Sequence, residues 1–252
     1  PSYKLLYSSE KSRMIGCDEL ISYVSDNGLY GAAAMSFPWS NAELCRMHND
    51  YMSESALLSG GKIFPFGMVP SDDIKSVRKI AEEIKSSGLC GIGEIAFYES
   101  GLDKSAESFL REVFEAAIDL SLPVCIHLNE PVGHIYPGKY EPSLAAVYRL
   151  LAENAECRVI LSHWGGGMLF YELMPEVKEA LHNVWYDTAA SPYLYSSSIY
   201  KAALQIIPAE KILFGSDFPL LGVKRYREFI EAEAAGAAPL IMGFNAKKLL
   251  SV

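Results

Sequence analysis

Residues 123–128 read PVCIHL and residues 158–163 read RVILSH, two short apolar runs that each carry a histidine near the C-terminal end, His127 and His163. A run this short and this uniformly apolar suits a strand covered on both faces. Between the two lie a turn-rich loop and a helical pattern, so the stretch reads as strand, helix, strand, the unit of a parallel sheet. The same unit recurs outward in both directions, at GAAAMSF (31–37), KIFPFGMV (62–69), CGIGEIA (90–96), NVWYDT (183–188) and KILFGS (211–216). The spacing predicts helices over 17–27, 41–59, 72–87, 103–121, 141–154, 169–181 and 197–207, with a last pair over 223–235 and 245–250. Asp72 and Asp103 are expected as N-caps, Gly28 and Gly88 as left-handed helix ends, and Pro142 and Pro208 at a first turn and a stop.

No GxGxxG or GxxxxGK(S/T) follows any of these strands, so an open sheet binding a dinucleotide or a nucleoside triphosphate lacks its usual mark. The architecture that remains is α/β, a (β/α)8 TIM barrel over residues 1–252 as a single domain. Seven strands are visible and a closed barrel needs eight. PSYKLLYSSEKSR, ahead of the first helix, is polar and turn-like, so the first strand is expected to precede Pro1.

Composition agrees with a globular barrel. Of 252 residues, 50% are hydrophobic and 21% charged, which excludes disorder and coiled coil. Lys and Arg number 22 against 31 Asp and Glu, a formal charge of −9 that argues against nucleic acid and anionic membrane as partners. Five widely spaced cysteines without a CxxC pair suggest a reducing compartment. No apolar stretch reaches the length that crosses a bilayer, so the expectation is a soluble cytoplasmic protein.

Reactive groups of such barrels gather at the C-terminal ends of the strands. Here Glu94, His127, His163, Asp187 and Asp217 each stand at or just past the end of a different strand. Apolar strands that end repeatedly in imidazole and carboxylate suggest groups that bind one another, a metal or a polar substrate. Glu94, His127, His163 and Asp217 are the candidate metal ligands. Zn²⁺ is the first expectation from the ligand types, with Mn and Fe as alternatives. Asp217 and His163 are also the candidate catalytic acid and base. Asp187 is expected to orient a histidine or brace a turn.

The loop NEPVGHIYPGKYEP (129–142) reads as a lid or substrate wall offering donors to a carboxylate or carbonyl oxygen. Asn129, His134 and Tyr136 within it, and Trp164 beside His163, are the candidate substrate contacts. Tyr193, Tyr195 and Tyr200 form a second candidate wall or simply pack. His48 and His182 lie in helical segments and are expected to be structural or solvent-facing.

Taken together, GIGEI, PVCIHLNEP, VILSHWGGG, NVWYDTAAS, ILFGSDFPL and the closing GFNAKKLL resemble the amidohydrolase-related, metal-dependent TIM-barrel hydrolases across essentially the whole chain. They lie near the aminocarboxymuconate-semialdehyde decarboxylase branch, with some similarity to TatD-type hydrolases. The resemblance implies a metal bowl with a water nucleophile, in which His127 and Asp217 match the histidine and aspartate ligands. His163 matches a histidine that acts as acid/base or holds a second metal. It also implies an HxH pair of ligands on the first strand. No HxH occurs in these residues.

The functional expectation is metal-assisted hydrolysis of a C–N or C–O bond (amide, lactone or ester) in a small polar molecule. A metal-dependent nonoxidative decarboxylase is the alternative, and a non-catalytic ligand-binding barrel is a third reading. A homodimer is expected.

Overall fold

The computed structural model describes residues 14–98, 101–141 and 143–252. Seven strands, β1 (Ala32–Ala34), β2 (Ile63–Gly67), β3 (Gly91–Ile95), β4 (Val124–Ile126), β5 (Val159–Leu161), β6 (Val184–Asp187) and β7 (Ile212–Leu213), stand in sequence order. Every neighbouring pair is parallel. The sheet curls into an open barrel; among the described residues β1 pairs only with β2 and β7 only with β6. Among the described residues this is the (β/α)8 plan with seven of its eight strands. The place expected for the remaining strand, before Pro1, lies outside the described residues.

All seven strands fall inside the runs read from the sequence. One helix, α1 (Cys17–Asp26), precedes β1, and those that follow are α2 (Ala42–Leu58), α3 (Val77–Ser86), α4 (Lys104–Leu120), α5 (Leu144–Glu153), α6 (Pro175–Ala180), α7 (Ser191–Leu194), α8 (Ser198–Ile206), α9 (Val223–Ala234) and α10 (Asn245–Leu250). Asp103 caps α4 by accepting from the Ala106 amide at 2.9 Å, and Asn41 and Ser143 cap α2 and α5 in the same way. Each such cap is worth about 1 kcal/mol. Gly28 and Gly88 take the left-handed conformation that ends a helix.

Asp72 is not a cap. The chain first makes a 3₁₀ turn over Ile74–Ser76, so α3 begins at Val77, beyond reach of the Asp72 side chain. Pro142 lies outside the described residues, and Pro208 precedes a short 3₁₀ turn (Ala209–Lys211) after α8 has ended. The helix expected over 169–181 is broken. Positive φ at Trp164, Gly165, Gly166 and Gly167 forces an irregular 3₁₀ passage over His163–Leu173 before α6 can start at Pro175.

Side chains alternate across a strand, and that alternation sorts core from site. Val124 and Ile126, Val159 and Leu161, and Val184 and Tyr186 pack outward with the helices in one large cluster. Phe66, Cys125, Ile160 and Leu213 pack together in a second, with Trp185 against them. His127 and Asp187 share the parity of Cys125 and Trp185, so the strands that fill the barrel with apolar groups lower down deliver polar ones at its rim.

Candidate metal centre

Glu94 lies in β3, His127 directly follows β4, and His163 stands two residues past β5. One ligand atom from each comes within 4.8 Å of the other two. His127 Nδ1 is 3.2 Å from Glu94 Oε1 and 3.2 Å from His163 Nε2, while His163 Nε2 is 3.8 Å from Glu94 Oε1. His163 is buried, and Glu94 and His127 are largely so. Three electron-rich atoms turned toward one point are held together most easily by a cation between them.

The surroundings fix this arrangement. His163 Nδ1 is 3.0 Å from the Ala189 carbonyl. A carbonyl only accepts, so Nδ1 carries a proton there and Nε2 is the nitrogen that faces the cluster, where a bound cation would replace its proton. Asp187 Oδ1 accepts from the backbone amides of His163 and Ala189, both at 2.9 Å. That pair of bonds holds the ends of β5 and β6 together. His163, Trp164, Ala190 and Asp217 all have positive φ, a concentration of backbone strain at the strand ends. Tyr140 donates its hydroxyl to the His127 carbonyl at 3.1 Å, and the Tyr98 ring stands edge-on to His127.

The electrostatics favour positive charge. Burial works against the His163 imidazolium, yet Asp217, Glu94 and Asp187 together raise its pKa to about 9. Burial likewise works against the Glu94 carboxylate, and the two histidines, with a hydrogen bond from Ser162, bring it down to about 2. Asp217 is exposed at the mouth of the bowl. Desolvation by the surrounding protein, helped by Glu94 and opposed by His163 and His127, pushes its pKa upward. Contact with water tempers that effect.

The structure thus brings together three of the four expected ligands. Asp217, in the turn after β7, lies within electrostatic reach of the cluster but outside its closest trio. The expected substrate contacts separate. Asn129 is buried; its side-chain amide donates to the Tyr140 carbonyl and its Oδ1 accepts from the Tyr140 amide, closing the base of the lid. Trp164 is fully buried, with its indole N–H on Ser191 Oγ at 2.7 Å, so its ring packs in the core, in T-shaped contact with Tyr200. His134 is exposed beside Tyr136, and Tyr136 is half-buried in the lid. Lys139 Nζ ties that lid by donating to the Val132 and His134 carbonyls at 2.6 and 3.0 Å. Gly166 approaches the lid so closely that a Cβ there would stand 2.5 Å from the Asn129 carbonyl oxygen. Sequence reasoning missed Ala189 as the tautomer-setting acceptor and Ser162 as a Glu94 partner. A backbone carbonyl leaves no trace in residue identity.

Among curated proteins no sequence matches the chain. Solved structures share its fold at low identity. The 5-carboxyvanillate decarboxylase from Sphingomonas paucimobilis is 16% identical with a TM-score of 0.73, over 96% of this chain and 84% of that one. A dihydroxybenzoic acid decarboxylase from Polaromonas sp. JS666, with bound manganese and the inhibitor 2-nitroresorcinol, is 16% identical with a TM-score of 0.72 over 93% and 85%. A probable 2-pyrone-4,6-dicarboxylic acid hydrolase from Acinetobacter baumannii is 16% identical with a TM-score of 0.62 over 97% and 94%. Among the described residues no helix is long and apolar enough to cross a membrane. The largely buried His/His/Glu site can chelate a divalent metal, and with the fold it supports a metal-dependent enzyme. The amidohydrolase family model matches residues 18–252, and the chain belongs to that family.

Proposed function

We propose that the protein is a metal-dependent nonoxidative decarboxylase of a small aromatic carboxylate, with His127, His163 and Glu94 holding the ion. The observation that carries the reading is the buried Glu94–His127–His163 cluster with Asp217 exposed at the mouth beside it. Likeness to the two decarboxylases supports it over the hydrolysis that the sequence first suggests. Manganese, bound in the Polaromonas protein, becomes a stronger candidate than zinc. A divalent ion held by Glu94, His127 and His163 would supply fixed positive charge to stabilise a bound carboxylate.

The chain's own part is positioning and proton delivery. The Ala189 and Asp187 contacts hold His163 in one tautomer and one orientation. As the C–C bond breaks, carbon dioxide leaves and the electron pair stays on the ring carbon, where it takes a proton to form C–H. In this reading Asp217 delivers that proton and recovers another from solvent. Carbon dioxide release tests the reading. Manganese-loaded protein incubated with a panel of hydroxylated benzoates is expected to release one carbon dioxide per product formed. Turnover of lactones or amides with no carbon dioxide from any carboxylate would return the site to hydrolysis, with Asp217 as base toward water.

A further inference from the structure

The lid loop contains a partly buried carboxylate, Glu130, that the chemistry above does not use. Glu130 Oε1 is shut away from solvent and has no hydrogen-bond partner among the described residues. Such an acceptor is rare in a settled interior and is costly to leave unmet. Its neighbours are phenols. Burial raises the pKa of Tyr195, and the Glu130 charge and its hydrogen bond to that phenol raise it further. Tyr136 is raised by burial first and then by Glu130 and Asp217, which puts the phenol within electrostatic reach of both carboxylates. Glu130 stands three residues past His127, on the loop that leaves the same end of the barrel as the metal cluster. The nearest lid cation, Lys139, is occupied by two backbone carbonyls and lies 5.4 Å from the centre of the Tyr136 ring.

We propose that Glu130 is a specificity-determining residue whose carboxylate accepts a hydrogen bond from a hydroxyl or amino group of the substrate and turns away substrates carrying a second carboxylate. The assignment rests on the decarboxylase reading for the aromatic carboxylate that enters the bowl. A ring reaching Oε1 displaces part of the Tyr136 or Tyr195 side chain, and its donor then meets the lone pair that the closed lid leaves unmatched. A carboxylate in the same place would face Glu130 across a partly desolvated gap, where like charges repel strongly.

The test is calorimetric binding to the manganese-loaded protein. The probes are the ortho, meta and para hydroxybenzoates and aminobenzoates, benzoate, and the benzenedicarboxylates. At least one hydroxy- or aminobenzoate is expected to bind about tenfold or more tighter than benzoate, as a hydrogen bond to a charged acceptor provides, and the dicarboxylates more weakly than benzoate. Glu130→Gln keeps the size of the side chain and is expected to erase most of the first preference and to bring dicarboxylate binding up to that of benzoate. Circular dichroism confirms its fold, and Glu130→Ala serves as a second variant should the amide find a local partner. An unchanged ranking in both variants overturns the proposal, as does equal binding of all probes to the unmodified protein. Carbon dioxide release is scored separately. Its absence with the ranking intact removes the decarboxylase reading and leaves Glu130 in its role, whereas release with an unaltered ranking in the variants does the reverse.

Discussion

His163 Nδ1 stands 3.0 Å from the carbonyl oxygen of Ala189, so the imidazole is committed to one tautomer and presents Nε2 to Glu94 and His127. Metal affinity then depends on the three side chains together. His127→Ala and His163→Ala are each expected to lower manganese affinity by at least about a hundredfold, the upper range for disturbing a ligand's support alone. Metal titration on folded variants checks this, and affinity equal to the unmodified protein would remove the residue from the site. Asp187→Asn, which disturbs the acceptor of the His163 and Ala189 amides without touching a ligand, should cost about 10- to 100-fold.

Asp217 separates proton delivery from metal binding. It sits in the left-handed region with φ 60°, which asparagine tolerates as well as aspartate, so Asp217→Asn keeps the turn after β7. Turnover should fall by about 10²- to 10⁴-fold, the usual worth of a positioned acid or base. Manganese content should stay near that of the unmodified protein. Loss of metal in step with loss of turnover would make Asp217 a ligand first.

Strand parity makes the barrel and part of its site, His127 and Asp187, legible in the sequence, whereas His163 shares the parity of the outward Val159 and Leu161, and Glu94 that of Ile92. Cys125 and His127 lie two apart, as do Trp185 and Asp187, so one apolar and one polar residue of each strand face the same interior. The site is not legible where backbone geometry decides. Trp164 beside a histidine and three glycines looks like a ligand wall, yet positive φ from Trp164 to Gly167 turns the indole into the core. Asn129 looks like a substrate donor, yet the chain bends so that Tyr140 satisfies it. The composition of the loop points to donors, and its unmatched group is instead the acceptor Glu130.

Below the site, Lys211 and Glu172 form a buried ion pair. The ammonium donates to Glu172 Oε1 and Oε2 at 2.9 and 3.1 Å and to the Leu181 carbonyl at 2.8 Å, while the Tyr186 hydroxyl donates to Oε1 at 2.7 Å. The Glu172 side chain has no accessible surface. Removing one partner strands the other charge, so Lys211→Met should destabilise the protein by about 3–5 kcal/mol in urea unfolding. Adding Glu172→Gln to that variant should recover part of the loss, because the uncompensated charge goes with it. A double variant no more stable than Lys211→Met would show that packing, not charge, dominates at this position.

His48 should make stability fall in mild acid. It lies in α2 against the Trp39 ring, its Nε2 is shielded from solvent and without a hydrogen-bond partner among the described residues, and burial lowers its pKa below the ordinary 6.5. The unfolded chain therefore binds a proton at a higher pH than the native state does. Stability contributed by the neutral ring is fully present above about pH 6.5 and is lost as pH falls from there toward the native pKa. The loss is at most about 1.4 kcal/mol per pH unit from this one group. His48→Gln removes the titration while keeping a polar side chain of similar reach. Urea midpoints measured from pH 7.5 down to pH 5 should fall less steeply for the variant than for the unmodified protein, and parallel curves would assign the acid sensitivity to other groups.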